Sequence, residues 1–200
     1  MKTIASMRLL GRRPSLDLVN TVDARKDTWG PDLLVRYDDL IVWAARVGVL
    51  DAGEDEEARV AAANNPEAAG TALRRVQVVR EAIAAVLEAS IEGGSPPQSE
   101  ADSLGQAVDD ARRHQRLTVS NRQMRWSWTG EQPLDRILHR VALDAAAIVT
   151  DDNLRSRVRL CPGPNCGWLF VDETKNRSRR WCRDGGCGAH MRVLRYRAKS

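Results

Sequence analysis

The first 160 residues of this chain contain no cysteine, and the whole chain of 200 contains four. Aromatic residues are also scarce: one Phe, two Tyr and six Trp. No stretch reaches the roughly 18 consecutive apolar residues of a membrane span, which argues against an integral helical membrane protein. The opening ten residues lack the apolar core of a signal peptide, and Arg8, Arg12 and Arg13 crowd that end. The expectation is a soluble cytoplasmic protein with no membrane partner. No P-loop, dinucleotide fingerprint or Gly-x-Ser-x-Gly elbow occurs, and there is no internal repeat.

What is present is concentrated at the other end. Cys161-x4-Cys166 and Cys182-x4-Cys187 are separated by fifteen residues. Clustered cysteines in a reducing compartment point to metal ligands rather than disulfides, and two paired knuckles at this spacing fit tetrahedral zinc. Pro162, Gly163, Pro164 and Asn165 supply the turn of the first knuckle; Asp184, Gly185 and Gly186 supply the second. Four thiolates leave no open coordination position, so the expected cofactor is one structural zinc held by Cys161, Cys166, Cys182 and Cys187. A redox dithiol is disfavoured because no C-x-x-C motif is present. Trp168 to Val171 reads as a short strand. From Gly188 onward Met191, Val193, Leu194 and Tyr196 suit a short helix packed beside the metal, and knuckle, hairpin and helix form the layout of a treble clef.

The rest reads as helix. Asn65-Pro66 looks like an N-cap followed by proline at the first helical position. Leu73, Val76, Val79, Ile83, Val86 and Leu87 then recur at helical spacing up to Ile91, before the break at Gly93 to Pro97. Ser99 with Asp102 resembles a capping arrangement for a helix to about His114. Leu134 to Val149 carries a further apolar stripe, and Leu40 to Leu50 a shorter one ending near Gly48. Leu117 to Val119 and Met124 to Trp128 alternate around Ser120-Asn121, which reads as a β-hairpin. Trp29 and Trp43 are expected to seal the helical core. The fold class is therefore mainly α with a small β-hairpin: a helical N-terminal domain, residues 1–154, and a C-terminal zinc finger, residues 155–200.

Net charge divides at the same boundary. Residues 155–200 hold twelve Lys or Arg against three acids, a net of +9, while residues 1–154 carry −5. Zinc with four thiolates is formally −2, so the loaded tail is still strongly positive, and a basic module on an acidic body suggests a polyanion partner for the module alone.

Two segments resemble a known family. Cys166-Gly167-Trp168-Leu169-Phe170-Val171-Asp172, Asn176-Arg177-Ser178-Arg179-Arg180-Trp181-Cys182 and Cys187-Gly188 resemble the CGNR zinc finger. Arg13-Pro14-Ser15-Leu16-Asp17-Leu18-Val19-Asn20-Thr21 resembles the opening of the ABATE domain that accompanies this finger in bacteria. The resemblance implies a helical N-terminal domain, a treble-clef finger that binds DNA, and a role in stress-related transcription regulation. One departure falls in the motif that names the finger: Ala189-His190 follow Cys187-Gly188 where the family has Asn-Arg. The cysteines persist, so zinc binding is expected to persist with them.

Candidate contacts to duplex DNA are Lys175, Asn176, Arg177, Ser178, Arg179 and Arg180, the densest basic run, with His190, Arg192, Arg195 and Lys199 on or beside the last helix. A single small finger buries little area, so tight sequence-specific binding calls for a homodimer on paired half-sites. Arg13, Asp17 and Asn20 are either capping and internal hydrogen-bonding groups or the polar groups of a pocket for a small effector. Two further readings stand beside the DNA-binding regulator. One is a zinc-stapled protein–protein interaction module without specific DNA binding. The other is an enzyme, which the sequence disfavours: His114 and His139 have Asp109, Asp110, Asp135 and Asp144 nearby, but helix surfaces carry such pairs routinely.

Overall fold

A computed structural model describes residues 2–120 and 122–198. Its framework is a long helix, α4 (Pro66–Glu92), against which α5 (Gln98–Arg113) and α6 (Arg136–Thr150) pack. The sequence explains the limits of α4. Asn65 Oδ1 accepts from Ala68 N at 3.0 Å, Pro66 occupies the first turn, and Gly93 ends the helix at φ 76°. The left-handed cap lets Gly94 N reach Ala89 O at 2.8 Å, satisfying a carbonyl that the helix leaves open. Ala69, Ala72, Leu73, Val76, Val79, Ile83 and Leu87 are buried along one face.

Three shorter helices complete the body. α1 (Pro14–Val19) lies across α4 and α6, α2 (Tyr37–Val47) ends at Gly48 with φ 72°, and α3 (Ala52–Asn64) carries a reciprocal Asp51–Glu54 capping box. Trp43 is fully buried in this core, as expected, but Trp29 is 57% exposed. It sits in the extended stretch between α1 and α2, where the Arg25 guanidinium covers its ring at 4.7 Å. Ser99 also departs from expectation. The N-cap of α5 is Pro97, and Ser99 lies inside the first turn, where its hydroxyl donates to the neighbouring Glu100 carboxylate.

Between α5 and α6 runs the hairpin of β1 (Gln115–Ser120) and β2 (Gln123–Trp128), in register Leu117 to Trp126 and Val119 to Met124. The period of two puts these four apolar side chains on one face, and all four are more than half exposed. Asn121, expected between the two strands, lies outside the described residues.

A four-residue helix, α7 (Asp152–Arg155), leads into the ribbon of β3 (Val158–Leu160) and β4 (Leu169–Val171). This ribbon has two dry faces. Val158, Leu169 and Val171 join the helical core, while Phe170 and Trp168 pack with Cys161 and Cys182 in a separate cluster. Alternation along β4 makes that split possible, and it ties the finger into the helical body by shared packing. The chain ends with a π-turn (Asp184–Gly188) and α8 (Ala189–Arg197). Contrary to the expectation that α8 packs beside the metal through its apolar residues, it buries none of its residues. Val193, Leu194 and Tyr196 are 48%, 40% and 75% exposed.

Among the described residues, no helix is long and apolar enough to cross a membrane.

Candidate metal centre and basic surface

The four cysteines converge. Their sulfurs all lie within 4.8 Å of one another, with Cys166 to Cys182 and Cys182 to Cys187 each at 3.7 Å. That is nearly twice a disulfide bond of about 2.05 Å. It matches the roughly 3.8 Å edge of a tetrahedron with Zn–S bonds of about 2.3 Å. The donor chemistry fits as well. Held this close, the sulfurs cannot all ionise: hydrogen bonds from Cys166 and Cys182 pull Cys161 down to about 2, and the Cys161 sulfur and burial then push Cys166 up to about 12 and raise Cys182. A dication relieves that opposition, and with all four positions filled by sulfur the zinc is structural.

Local geometry explains the spacing. Cys166 N donates to Gly163 O at 3.1 Å, closing the first knuckle, and Asn165 and Gly167 take φ of 49° and 67°. Gly163 has no room for a side chain, because a Cβ there would lie 2.7 Å from the Cβ and Sγ of Cys187. Cys182 N points at Cys161 Sγ, 3.4 Å away. The helical body clamps this knuckle from outside. Arg25 N donates to Cys166 O at 2.9 Å, Thr28 N to Asn165 Oδ1 at 2.7 Å, and the Trp168 indole to Val22 O at 3.0 Å.

The basic run is not uniformly available to a partner. Asp172, fully buried, accepts from Thr174 N, Thr174 Oγ1 and Arg179 N at 3.0, 2.6 and 2.9 Å, and so folds the loop that carries the run. Arg179 turns inward. Its guanidinium stacks over Phe170 at 4.2 Å and donates to the carbonyls of Val171, Trp181, Cys182 and Leu10. It acts as a strut within the finger, and every carbonyl it holds belongs to the zinc cluster or its borders. Arg177, at φ 50°, reaches back to Asn153 Oδ1 at 3.2 Å and Ser156 Oγ at 3.4 Å. Ser178 N closes the loop on Thr174 Oγ1 at 2.8 Å. Arg192 is bidentate to Asp184 at 2.8 and 3.2 Å. Lys175, Asn176, Arg180, His190 and Arg195 are exposed, with Arg180 resting over the Trp181 ring at 5.3 Å. Lys199 lies outside the described residues.

Sequence reasoning missed two groups here. Asp172, the organiser of the loop, had a local signal in Asp172-x-Thr174. Arg8 and Arg183 line a cleft of about 430 Å³ beside Cys166, Cys182 and Cys187, a meeting of chain ends with no local signal.

Arg13, Asp17 and Asn20 each engage a different internal partner. Arg13 pairs with Asp144 at 2.5 Å, and Asp17 accepts from Gly11 N at 2.8 Å. Asn20 exchanges two hydrogen bonds with Leu169. These contacts are internal hydrogen bonds and an ion pair, of the kind that satisfies buried polar groups.

Fold and site together define a helical protein closed at one end by a four-thiolate zinc finger. The chain belongs to the ABATE family, described as "Putative stress-induced transcription regulator", whose model matches residues 12–152; the CGNR zinc finger matches residues 157–200. No curated protein matches the chain.

Proposed function

We propose that this protein is a non-enzymatic transcription regulator whose zinc-stapled finger contacts the phosphate backbone of duplex DNA. The observation that carries the reading is the division of labour within the basic run. Arg179 and Asp172 brace the loop from inside, and Lys175, Asn176 and Arg180 face solvent on a frame held by the zinc cluster. Backbone contacts need donors of this kind in a fixed register. The cleft lined by Arg8 and Arg183 extends the basic surface beside the metal. The Ala189-His190 departure leaves His190 exposed at the start of α8, where it can still donate to a phosphate.

The apolar hairpin face of Leu117, Val119, Met124 and Trp126 supports pairing of two copies, which would present two fingers to paired half-sites. Effector sensing finds better support away from α1, in a mostly apolar cavity of about 580 Å³ between α4, α5 and α6, with Arg155 of α7 among its walls.

Binding of zinc-loaded protein to duplex DNA, measured against salt, tests the reading. Three or four phosphate contacts give a slope of log K against log salt of about −3. A flat slope removes the DNA reading and favours a protein-interaction module, whose partner would be recovered equally well after nuclease treatment.

A further inference from the structure

A second group of metal-ligating side chains lies in the helical body. Asp110 is in the last turn of α5, His114 caps that helix four residues later, and His139 faces both from the first turns of α6. The spacing of four puts Asp110 and His114 on one side of the helix end, and one ligand atom from each of the three residues lies within 4.8 Å of the others. His139 Nε2 is 3.3 Å from Asp110 Oδ2. Ligands bound at about 2.1 Å in tetrahedral or octahedral geometry are themselves separated by roughly 3.0–3.4 Å.

The outer contacts point the same way. His139 is almost wholly buried, and its Nδ1 lies 2.7 Å from Oε1 of Glu131, a carboxylate only 4% exposed. His114 Nδ1 lies 3.1 Å from Thr129 O, at the base of the hairpin. At His114 the acceptor opposite Nδ1 stabilises the Nδ1–H tautomer and leaves the lone pair on Nε2, as seen where imidazoles bind metals; at His139 carboxylates face both ring nitrogens and favour the protonated ring, so a cation at Nε2 takes the place of that proton. Trp128 stacks on His139 with centroids 6.3 Å apart and shields one side of the ring. His114 also stacks on His139, with centroids 5.0 Å apart and ring planes 21° apart, and Asp110 reaches the surface in a groove of about 680 Å³ that it lines with Thr71, Arg75 and Arg113.

Two guanidinium groups compete for the carboxylate. Arg113 holds Asp110 Oδ1 at 2.9 Å, and Arg75 holds Oδ2 at 3.2 Å. A cation at Oδ2 displaces only the longer contact, and Arg75 keeps Asp135 at 2.6 Å. Four carboxylates (Glu54, Asp110, Glu131, Asp135) stand against three guanidinium groups (Arg75, Arg113, Arg140) in the surrounding network, so the neutral-imidazole site has a slight negative balance.

From this geometry we infer that Asp110, His114 and His139 form a second metal site, selective for a divalent transition ion such as Co²⁺, Ni²⁺ or Zn²⁺, with an open position toward the groove. Imidazole nitrogens favour these ions over Mg²⁺ and Ca²⁺. The competing arginines set the affinity in the micromolar range rather than that of the thiolate zinc.

The test uses the full-length protein with its thiolate site loaded with zinc, dialysed against Co²⁺ at up to about 100 µM and analysed for both metals. The expected result is one cobalt per chain beside a retained zinc, with weak visible absorption and no intense thiolate-to-cobalt band. His114→Ala, at a half-exposed position, lowers the cobalt affinity about tenfold or more, and Glu131→Gln, acting through His139, lowers it by a similar factor. Circular dichroism of each variant shows whether it is folded. Failure of the folded wild-type protein to bind cobalt overturns the site. So does cobalt uptake that His114→Ala leaves unchanged, or uptake that displaces zinc one for one.

Discussion

The side chain of Asn20 pairs with the backbone of Leu169 as a neighbouring strand would. Asn20 Nδ2 donates to Leu169 O, and Leu169 N donates to Asn20 Oδ1, both at 2.9 Å. A carboxamide has the donor and acceptor of a peptide group, so one side chain at the end of α1 closes the free edge of β4. Gly11 O extends the closure by accepting from Val171 N at 3.1 Å. The helical body therefore holds the finger's ribbon through its main chain as well as through its packing.

Asn20→Ala strands a buried N–H and a buried C=O. The expected cost is about 2–4 kcal/mol, since an unsatisfied buried polar group costs about 1–3 kcal/mol. Chemical denaturation measures it, and limited proteolysis locates the loosened region at the ribbon. A change below about 0.5 kcal/mol, the scale of an ordinary surface substitution, would deny the pairing any weight.

Cys182→Ser removes a ligand with no substitute among the described residues, and zinc is expected to be lost to dialysis. Most helical signal survives, the tail becomes protease-sensitive, and the melting temperature falls because Val158, Leu169 and Val171 also belong to the helical core. Gly163→Ala is the milder probe. The added methyl meets Cys187 at 2.7 Å, so zinc should leave faster to a chelator than from the wild-type protein. Full zinc occupancy in Cys182→Ser would refute the ligand assignment.

Arg179 and Arg180 are neighbours with opposite expected phenotypes. Arg179→Ala frees four carbonyls and uncovers Phe170, for an expected loss of about 2–4 kcal/mol and faster zinc release. Lys175→Glu with Arg180→Glu leaves the melting temperature nearly unchanged and weakens binding to all DNA sequences, with the salt slope reduced by about 2. Equal DNA binding by the double variant and the wild type would misplace the surface.

Asp17 gives a pH signature. Burial raises its carboxyl to about 6, against the opposing effects of hydrogen bonds from Gly11 and Leu10 and the charges of Arg12 and Arg46. A carboxyl raised in the folded state favours folding while it is protonated. Its contribution is complete below its unfolded value of 3.8 and is lost as pH rises through about 6. The total is at most about 3 kcal/mol, at 1.36 kcal/mol per unit. Subtracting the stability of Asp17→Asn from that of the wild type, at pH values from 4 to 7.5, should isolate this decline. A difference that is flat with pH contradicts it.

Much of the fold is legible in the sequence because its signals are local. Asn65-Pro66 and Gly93 mark the ends of α4, and alternation from Leu117 to Trp128 marks the hairpin. Trp29 and α8 were misread for one reason: apolarity predicts burial only where enough of another element arrives to cover it, and Trp29, Val193, Leu194 and Tyr196 stay 40–75% exposed. The bracing role of Arg179 was not legible, because its position in a basic run does not reveal that it donates to four carbonyls.

The sequence by itself determined the zinc site, because all four ligands fall within 27 residues and each knuckle carries its own turn residues. It also determined where the positive charge lies. Only the tertiary structure decided which arginines face solvent, that Asn20 grips Leu169 across 149 positions, and that Asp110, His114 and His139 meet. Those relationships depend on how α1, α5 and α6 pack, and helix packing is fixed by whole apolar faces rather than by the polar residues it happens to bring together.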